Sequence, residues 1–127
     1  MIQVGESPGK GRGVFALRKI SSGEIIEEAP VVIVPHAQMV HLDATTLGDY
    51  YFLWEPKGDA ERDAALLLGL GSICNHSYEP NARFERRPLQ LTIAFIALRE
   101  IAPGEEVTIN YNGDPTDREP VWFPLRK

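Results

Sequence analysis

Three short stretches hold the residue types that could do chemistry: Gly11-Arg12-Gly13-Val14-Phe15-Ala16, Asn75-His76-Ser77-Tyr78-Glu79-Pro80-Asn81 and Gly104-Glu105-Glu106-Val107-Thr108-Ile109-Asn110-Tyr111. Each has an ordinary explanation when taken singly. The glycines around Arg12 let a ligand approach the bare backbone, and they equally suit a tight turn. A phosphate loop is excluded, because Gly-Lys is not followed by Ser or Thr anywhere in 5–13. Asn75-His76-Ser77 fits the glycosylation pattern, but Asn and Ser side chains also cap turns without any ligand. Zinc would call on Cys74, His76, His36 and His41, and no tight Cys or His pair recurs to hold it. A metal-dependent hydrolase built on His36, His41 and His76 is the corresponding enzyme reading. Cys74 with His76 has no third group to orient the pair, so nucleophilic catalysis is a poor fit. Glu105 and Glu106 are neighbours that point to opposite faces of a strand; they cannot flank one bond and read as turn and strand-edge residues.

The elements that would position these residues are mostly strands. Short apolar or alternating runs cover Gly13–Leu17, Glu24–Ile33, Ala82–Glu85, Leu91–Leu98 and Glu106–Tyr111, divided by Ser22-Gly23, Glu79-Pro80-Asn81 and Pro103-Gly104. Between His36 and Ala65 that rhythm breaks, and short helical fragments surround the Tyr50-Tyr51-Phe52-Leu53-Trp54 cluster. The apolar run Ala64–Leu70 leads straight into Gly71-Ser72-Ile73-Cys74-Asn75, as a buried element delivering Asn75 would. The tail, 113–127, carries three prolines that prevent a long regular element, yet it places Trp122 and Phe123 where they are expected to fold back on the body.

Composition narrows the function classes. With 127 residues, 43% hydrophobic and 24% charged, the chain is expected to form one domain, 1–127. A net charge of -5 is the wrong sign for a protein that neutralises phosphates, so no direct nucleic-acid partner is expected. The acids Asp43, Asp49, Glu55, Asp59, Glu61 and Asp63 outnumber Lys57 and Arg62 in their segment and could attract a basic peptide, or could be a solvated face. Met1–Lys10 has no secretion-signal pattern, no apolar stretch reaches membrane-spanning length, and the single Cys74 allows no internal disulfide. A cytoplasmic setting without a membrane partner is expected.

The order of the three motifs, with Asp49-Tyr50-Tyr51-Phe52 and Leu68-Gly69-Leu70-Gly71 between them, resembles the SET-domain lysine methyltransferases from about Gly9 to Tyr111. The chain is most similar in kind to the small free-standing bacterial and viral members. That resemblance implies a mainly β, β-clip fold of several small sheets with short helices and a C-terminal pseudoknot. It implies methyl transfer from S-adenosyl-L-methionine, with S-adenosyl-L-homocysteine as product and no metal, to a lysine of a basic protein. Tyr111 would be the catalytic residue. Lys10, Gly11, Arg12, Gly13, Asn75 and His76 would bind the cofactor, His76 through its main chain, while Tyr50 and Phe84 would line the lysine channel. No zinc-binding cysteine cluster is present to close the sites, so Trp122 on the cofactor and Phe123 on the channel are the candidates from the tail, core packing being the other reading of both. In many members an aromatic residue two places past the tyrosine limits how many methyls are added; here that place is Gly113. The pairing habit of small members makes a homodimer a candidate arrangement, and a non-catalytic module that binds a basic peptide is the rival function.

Overall fold

The computed structural model describes residues 1–121. Strands dominate, as the alternating runs predict. β1 (Ile2–Ser7) and β2 (Gly11–Ala16) form a hairpin whose register runs from Ile2 opposite Ala16 to Ser7 opposite Gly11. Its turn needs Gly9 (φ 76°) and Gly11 (φ 77°), because a Cβ disfavours that left-handed backbone. β3 (Ile25–Val34) is the longest strand at ten residues. Its first part pairs with β8 (Thr92–Ala97) and its last four residues with β5 (Ala64–Leu67). Pro30 has no N–H to give a ladder, and it stands where one partner strand ends and the other begins.

Two sheets result. β4 (Phe52–Leu53), β5, β3, β8 and β7 (Ala82–Arg87) make a five-stranded antiparallel sheet in that order. The second has four strands in the order β1, β2, β9 (Glu106–Ile109), β6 (Asn75–His76), and its β9–β6 pair is parallel, with Asn75 opposite Thr108 and His76 opposite Ile109. One apolar cluster joins the sheets: Val14, Val107 and Ile109 come from the smaller, Ile93, Phe95 and Leu67 from the larger. Burying a side chain the size of Phe95 fully contributes about 1.5–3 kcal/mol, so this cluster is what locks the sheets together.

The anticipated strands are present with shifted ends, and the reasons are local. Ala64–Leu70 divides into β5 and a 3-10 turn, Leu70–Ile73. The last strand stops at Ile109, because the Asn110 side chain accepts from the Asn112 N–H at 3.0 Å and bends the chain. Strands β1, β4 and β6 are additional. The expected excursion holds two 3-10 turns, His36–Gln38 and Thr46–Asp49, around the short helix α1 (Met39–Asp43). Asn81 explains part of the second motif: its side chain donates to the Glu106 carbonyl at 2.7 Å and accepts from the Thr108 N–H at 2.9 Å, pairing with β9 as a strand would.

Candidate active site

The segment that carries Asn75 is set in place by a carboxylate. Glu27 on β3 accepts from the Leu70 and Gly71 N–H groups at 2.9 and 2.8 Å, satisfying donors that a 3-10 turn leaves open at its start. The turn hands the chain to β6, where Asn75 and His76 are 2% and 3% exposed. Parallel pairing with β9 then brings Tyr111, two residues past the strand, beside them.

Asn75 Nδ2 donates to the Arg12 carbonyl at 3.0 Å and to Glu106 Oε2 at 2.6 Å, and Glu106 Oε1 accepts from Ser7 Oγ at 2.7 Å. Three distant segments are thereby tied at one carboxylate, while Asn75 Oδ1 has no hydrogen bond among the described residues. Gly13 is required here, because a Cβ would run into the Glu106 carboxylate and come within 3.0 Å of Asn75 Nδ2.

His76 Nδ1 accepts from the Tyr111 N–H at 3.0 Å, which assigns the ring proton to Nε2, a buried atom with no partner among the described residues. The ring meets Tyr78 edge-on at 4.5 Å and Tyr111 at 5.2 Å. Burial, helped by the nearby Lys10 charge, holds its pKa below the ordinary imidazole value. The folded state therefore binds this proton less readily than the unfolded chain. Stability should be full above the ordinary value of about 6.5 and fall as the pH drops through it. Urea midpoints measured between pH 8 and 5.5 test this: the wild type should lose stability with acid, and His76→Asn, whose oxygen can still accept from Tyr111, should lose less.

The Tyr111 hydroxyl donates to the Cys74 carbonyl at 2.6 Å. Burial pushes the phenol well above its usual range, so it stays protonated at neutral pH and cannot serve as a base. The Cys74 thiol is likewise pushed up by burial, then by the Glu27 and Glu106 charges, which ends the nucleophile reading for Cys74. Glu105 and Glu106 do diverge: Glu105 binds Arg99 at 2.6 Å and the Ala102 N–H at 3.0 Å, whereas Glu106 turns inward. Among the described residues no three His, Cys, Asp or Glu side chains gather at a metal-binding point. His36 lies against the Arg62 carbonyl and His41 sits on α1, so His36, His41 and His76 do not form one centre.

Two clefts meet at this place. The larger, about 470 Å³, has aromatic walls from Tyr50, Phe52, Phe84 and Tyr111. The smaller, about 160 Å³, is lined by Lys10, Gly11, Arg12, Ile73 and Asn75. Tyr50, Ser72 and Tyr111 line both. Of the anticipated site residues, Lys10, Gly11, Arg12 and Asn75 thus share the smaller cleft, with Gly13 packed behind it. Phe84 faces the larger, and Tyr50 and Tyr111 stand where the two join. The His76 side chain lines neither; it supports Tyr111 from behind. Gly113, at φ 97°, is close enough to Phe84 that a Cβ there would touch its ring at 4.0 Å. Trp122 and Phe123 lie outside the described residues.

Sequence reasoning missed Glu106, Ser7, Ser72 and Glu27 as site-building residues. It also read the 43–63 segment as predominantly acidic, with Lys57 and Arg62 as its only cations. Only Asp43 and Asp49 of those acids line the larger cleft, Asp63 is paired with Lys57 at 2.7 Å, and two arginines, Arg62 and Arg86, enter the same cleft.

The SET domain model matches residues 11–112. A Schizosaccharomyces pombe histone-lysine N-methyltransferase specific for H3 lysine-37 is 34% identical over 123 residues, covering 96% of this chain and 76% of the relative. A Yarrowia lipolytica histone-lysine N-methyltransferase specific for H3 lysine-36 is 36% identical over 111 residues, and there the chain spans only 14% of the relative's length. Among solved structures, the crystal structure of a Plasmodium falciparum candidate histone methyltransferase superposes with a TM-score of 0.69 at 29% identity, covering 90% of this chain and 99% of that one. Two clefts joined at a half-buried tyrosine, behind a Gly-x-Gly hairpin and an Asn-His strand, are thus found in a chain that belongs to the SET domain family.

Proposed function

We propose that the protein transfers a methyl group from S-adenosylmethionine to a lysine side chain of a histone or a similarly basic protein. The observation that carries this reading is the shared lining: Tyr50, Ser72 and Tyr111 border both a small polar cleft and a larger aromatic one, as residues at the junction of a donor site and an acceptor site must. The names of the relatives support lysine methylation, and the family supports the cofactor.

The residues of the smaller cleft fit the amino-acid end of that cofactor. Asn75 Oδ1 is an unused acceptor for an ammonium group, and Lys10 and Arg12 are cations for a carboxylate. Gly11 keeps the backbone bare beside them. Bound there, the sulfonium supplies an activated methyl. The chain's own residues do the rest. Phe84, Phe52 and Tyr50 offer the incoming lysine a dry passage; keeping an amine of pKa about 10.4 neutral at pH 7 costs about 4–5 kcal/mol, which desolvation offsets by disfavouring the cation. Tyr111, fixed by its N–H to His76 and its O–H to Cys74, orients the amine rather than removing its proton. We read the parallel β6–β9 pair, completed only after the chain has made β7 and β8, as support for the expected C-terminal crossing.

Incubation with labelled S-adenosylmethionine and a cell lysate, followed by mass spectrometry, should reveal a methylated lysine on a basic protein. Calorimetry should show cofactor binding that Asn75→Ala weakens at least about tenfold, since a charge-assisted hydrogen bond is lost and Glu106 keeps only Ser7 of its two donors. Cofactor binding without turnover on any protein would favour a binding module instead.

A further inference from the structure

The larger cleft holds two cations that make no salt bridge among the described residues, although Glu55 is near enough to Arg86 to favour its charge. Arg86, on β7, donates from Nε to the Leu53 carbonyl at 2.7 Å, and its guanidinium lies 5.5 Å from the centre of the Phe84 ring. Arg62 donates from Nε to the Trp54 carbonyl at 2.6 Å and from Nη2 to the same Leu53 carbonyl at 3.4 Å. Two half-buried guanidiniums thus converge on one carbonyl oxygen, and neither has a salt bridge among the described residues. Burial first, then the Arg62 charge, lowers the pKa of Arg86, and the Glu55 carboxylate partly opposes them. Backbone carbonyls thus fix both arginines mainly through their Nε atoms, which leaves most of the donors of each guanidinium fork unused. Nη1 and Nη2 of Arg86 make no hydrogen bond among the described residues, and both side chains line the cleft.

Building on the methyltransferase reading, we propose that Arg62 and Arg86 form a carboxylate-binding subsite that selects protein substrates with an acidic side chain near the target lysine. The fork of a guanidinium matches a carboxylate with two parallel N–H donors, and an anion between two like charges relieves their repulsion. Asp43 and Asp49 stand elsewhere on the lining of the same cleft. The site is therefore bipolar: it selects a mixed-charge sequence around the lysine rather than a run of basic residues.

The test uses the full chain and pairs of lysine peptides that differ only in Glu or Gln at each flanking position in turn. Binding is read by fluorescence anisotropy, and transfer by KM with labelled S-adenosylmethionine. At one or more positions Glu should improve both by about tenfold at low ionic strength, as expected for a partly screened charge-assisted pair, and added salt should erode the gain. Arg86→Gln and Arg62→Gln should flatten the Glu preference, Arg86→Lys should retain part of it, and Arg86→Glu should turn it toward Lys-flanked peptides. Thermal melts separate these effects from loss of fold, and if a variant does not fold, the wild-type scan and its salt dependence decide alone. Turnover with no Glu preference at any position overturns this subsite and leaves the methyl-transfer reading intact. Absence of transfer to every peptide and lysate protein overturns that underlying reading instead.

Discussion

Tyr111→Phe should cut turnover by at least about 100-fold while leaving cofactor affinity within experimental error, because removing one preorganised polar group at a reaction centre typically has an effect of that size. The substitution removes one oxygen and little else. The ring keeps its place at 5.2 Å from His76, and the backbone N–H still donates to His76 Nδ1, so both clefts retain their shared wall. What disappears is the hydroxyl whose hydrogen bond to the Cys74 carbonyl fixes where the oxygen lies. That bond contributes about 0.5–1.5 kcal/mol to stability, a small loss beside the kinetic one. Kinetics with labelled cofactor and calorimetry on the same preparation make the comparison. Turnover within a few-fold of wild type would remove the phenol from the chemistry.

Gly71→Ala is expected to have the largest effect on folding of any single methyl group added near the site. A Cβ at this position would overlap the ring of Phe95, which is 1% exposed in the middle of the shared core and in contact range of Phe52 and Phe84. The ring has nowhere to go, so the 3-10 turn must shift. Overpacking of this kind costs about 1–3 kcal/mol, and here the upper end applies because backbone must move with it. A loss of that size lowers the melting temperature of a domain this small by roughly 10 °C. The same shift would pull on the Gly71 N–H that Glu27 accepts, and on Asn75 four residues later. A melting temperature within about 2 °C of wild type would mean the ring moves more freely than core packing allows.

These two positions also show what the sequence made legible. Tyr111 could be found in advance because its neighbours repeat a family pattern, and the strand that leads to it, two residues short of it, followed from the alternation of Val107 and Ile109 with polar residues. The residues that build its surroundings were not legible. Gly71 reads as a turn glycine until Phe95, far away in the chain, is seen to lie against it. Glu106 reads as a strand-edge carboxylate, and only the assembly of β1, β6 and β9 in one sheet makes it the acceptor for Ser7 and Asn75. β1 was overlooked because Gly5 weakens its pattern, yet that glycine is where the Phe15 ring lies across the strand, 3.1 Å from where a Cβ would be. Likewise the 43–63 acids dominate a local charge count, while Arg86 arrives from β7 and changes the sign of one wall. Local periodicity specified the strands; long-range packing specified their partners.

The order of the four-stranded sheet sets a timetable for the chain. β9 lies between β2 and β6, so a polypeptide leaving the ribosome carries both flanking strands with an open seam between them until residues 106–109 have emerged. Until then β2 offers an unsatisfied edge, and the asparagine and tyrosine cannot meet. Closing so many sequence-distant pairs at once is entropically slow, so assembly of the candidate site should trail formation of the local β7–β8 hairpin.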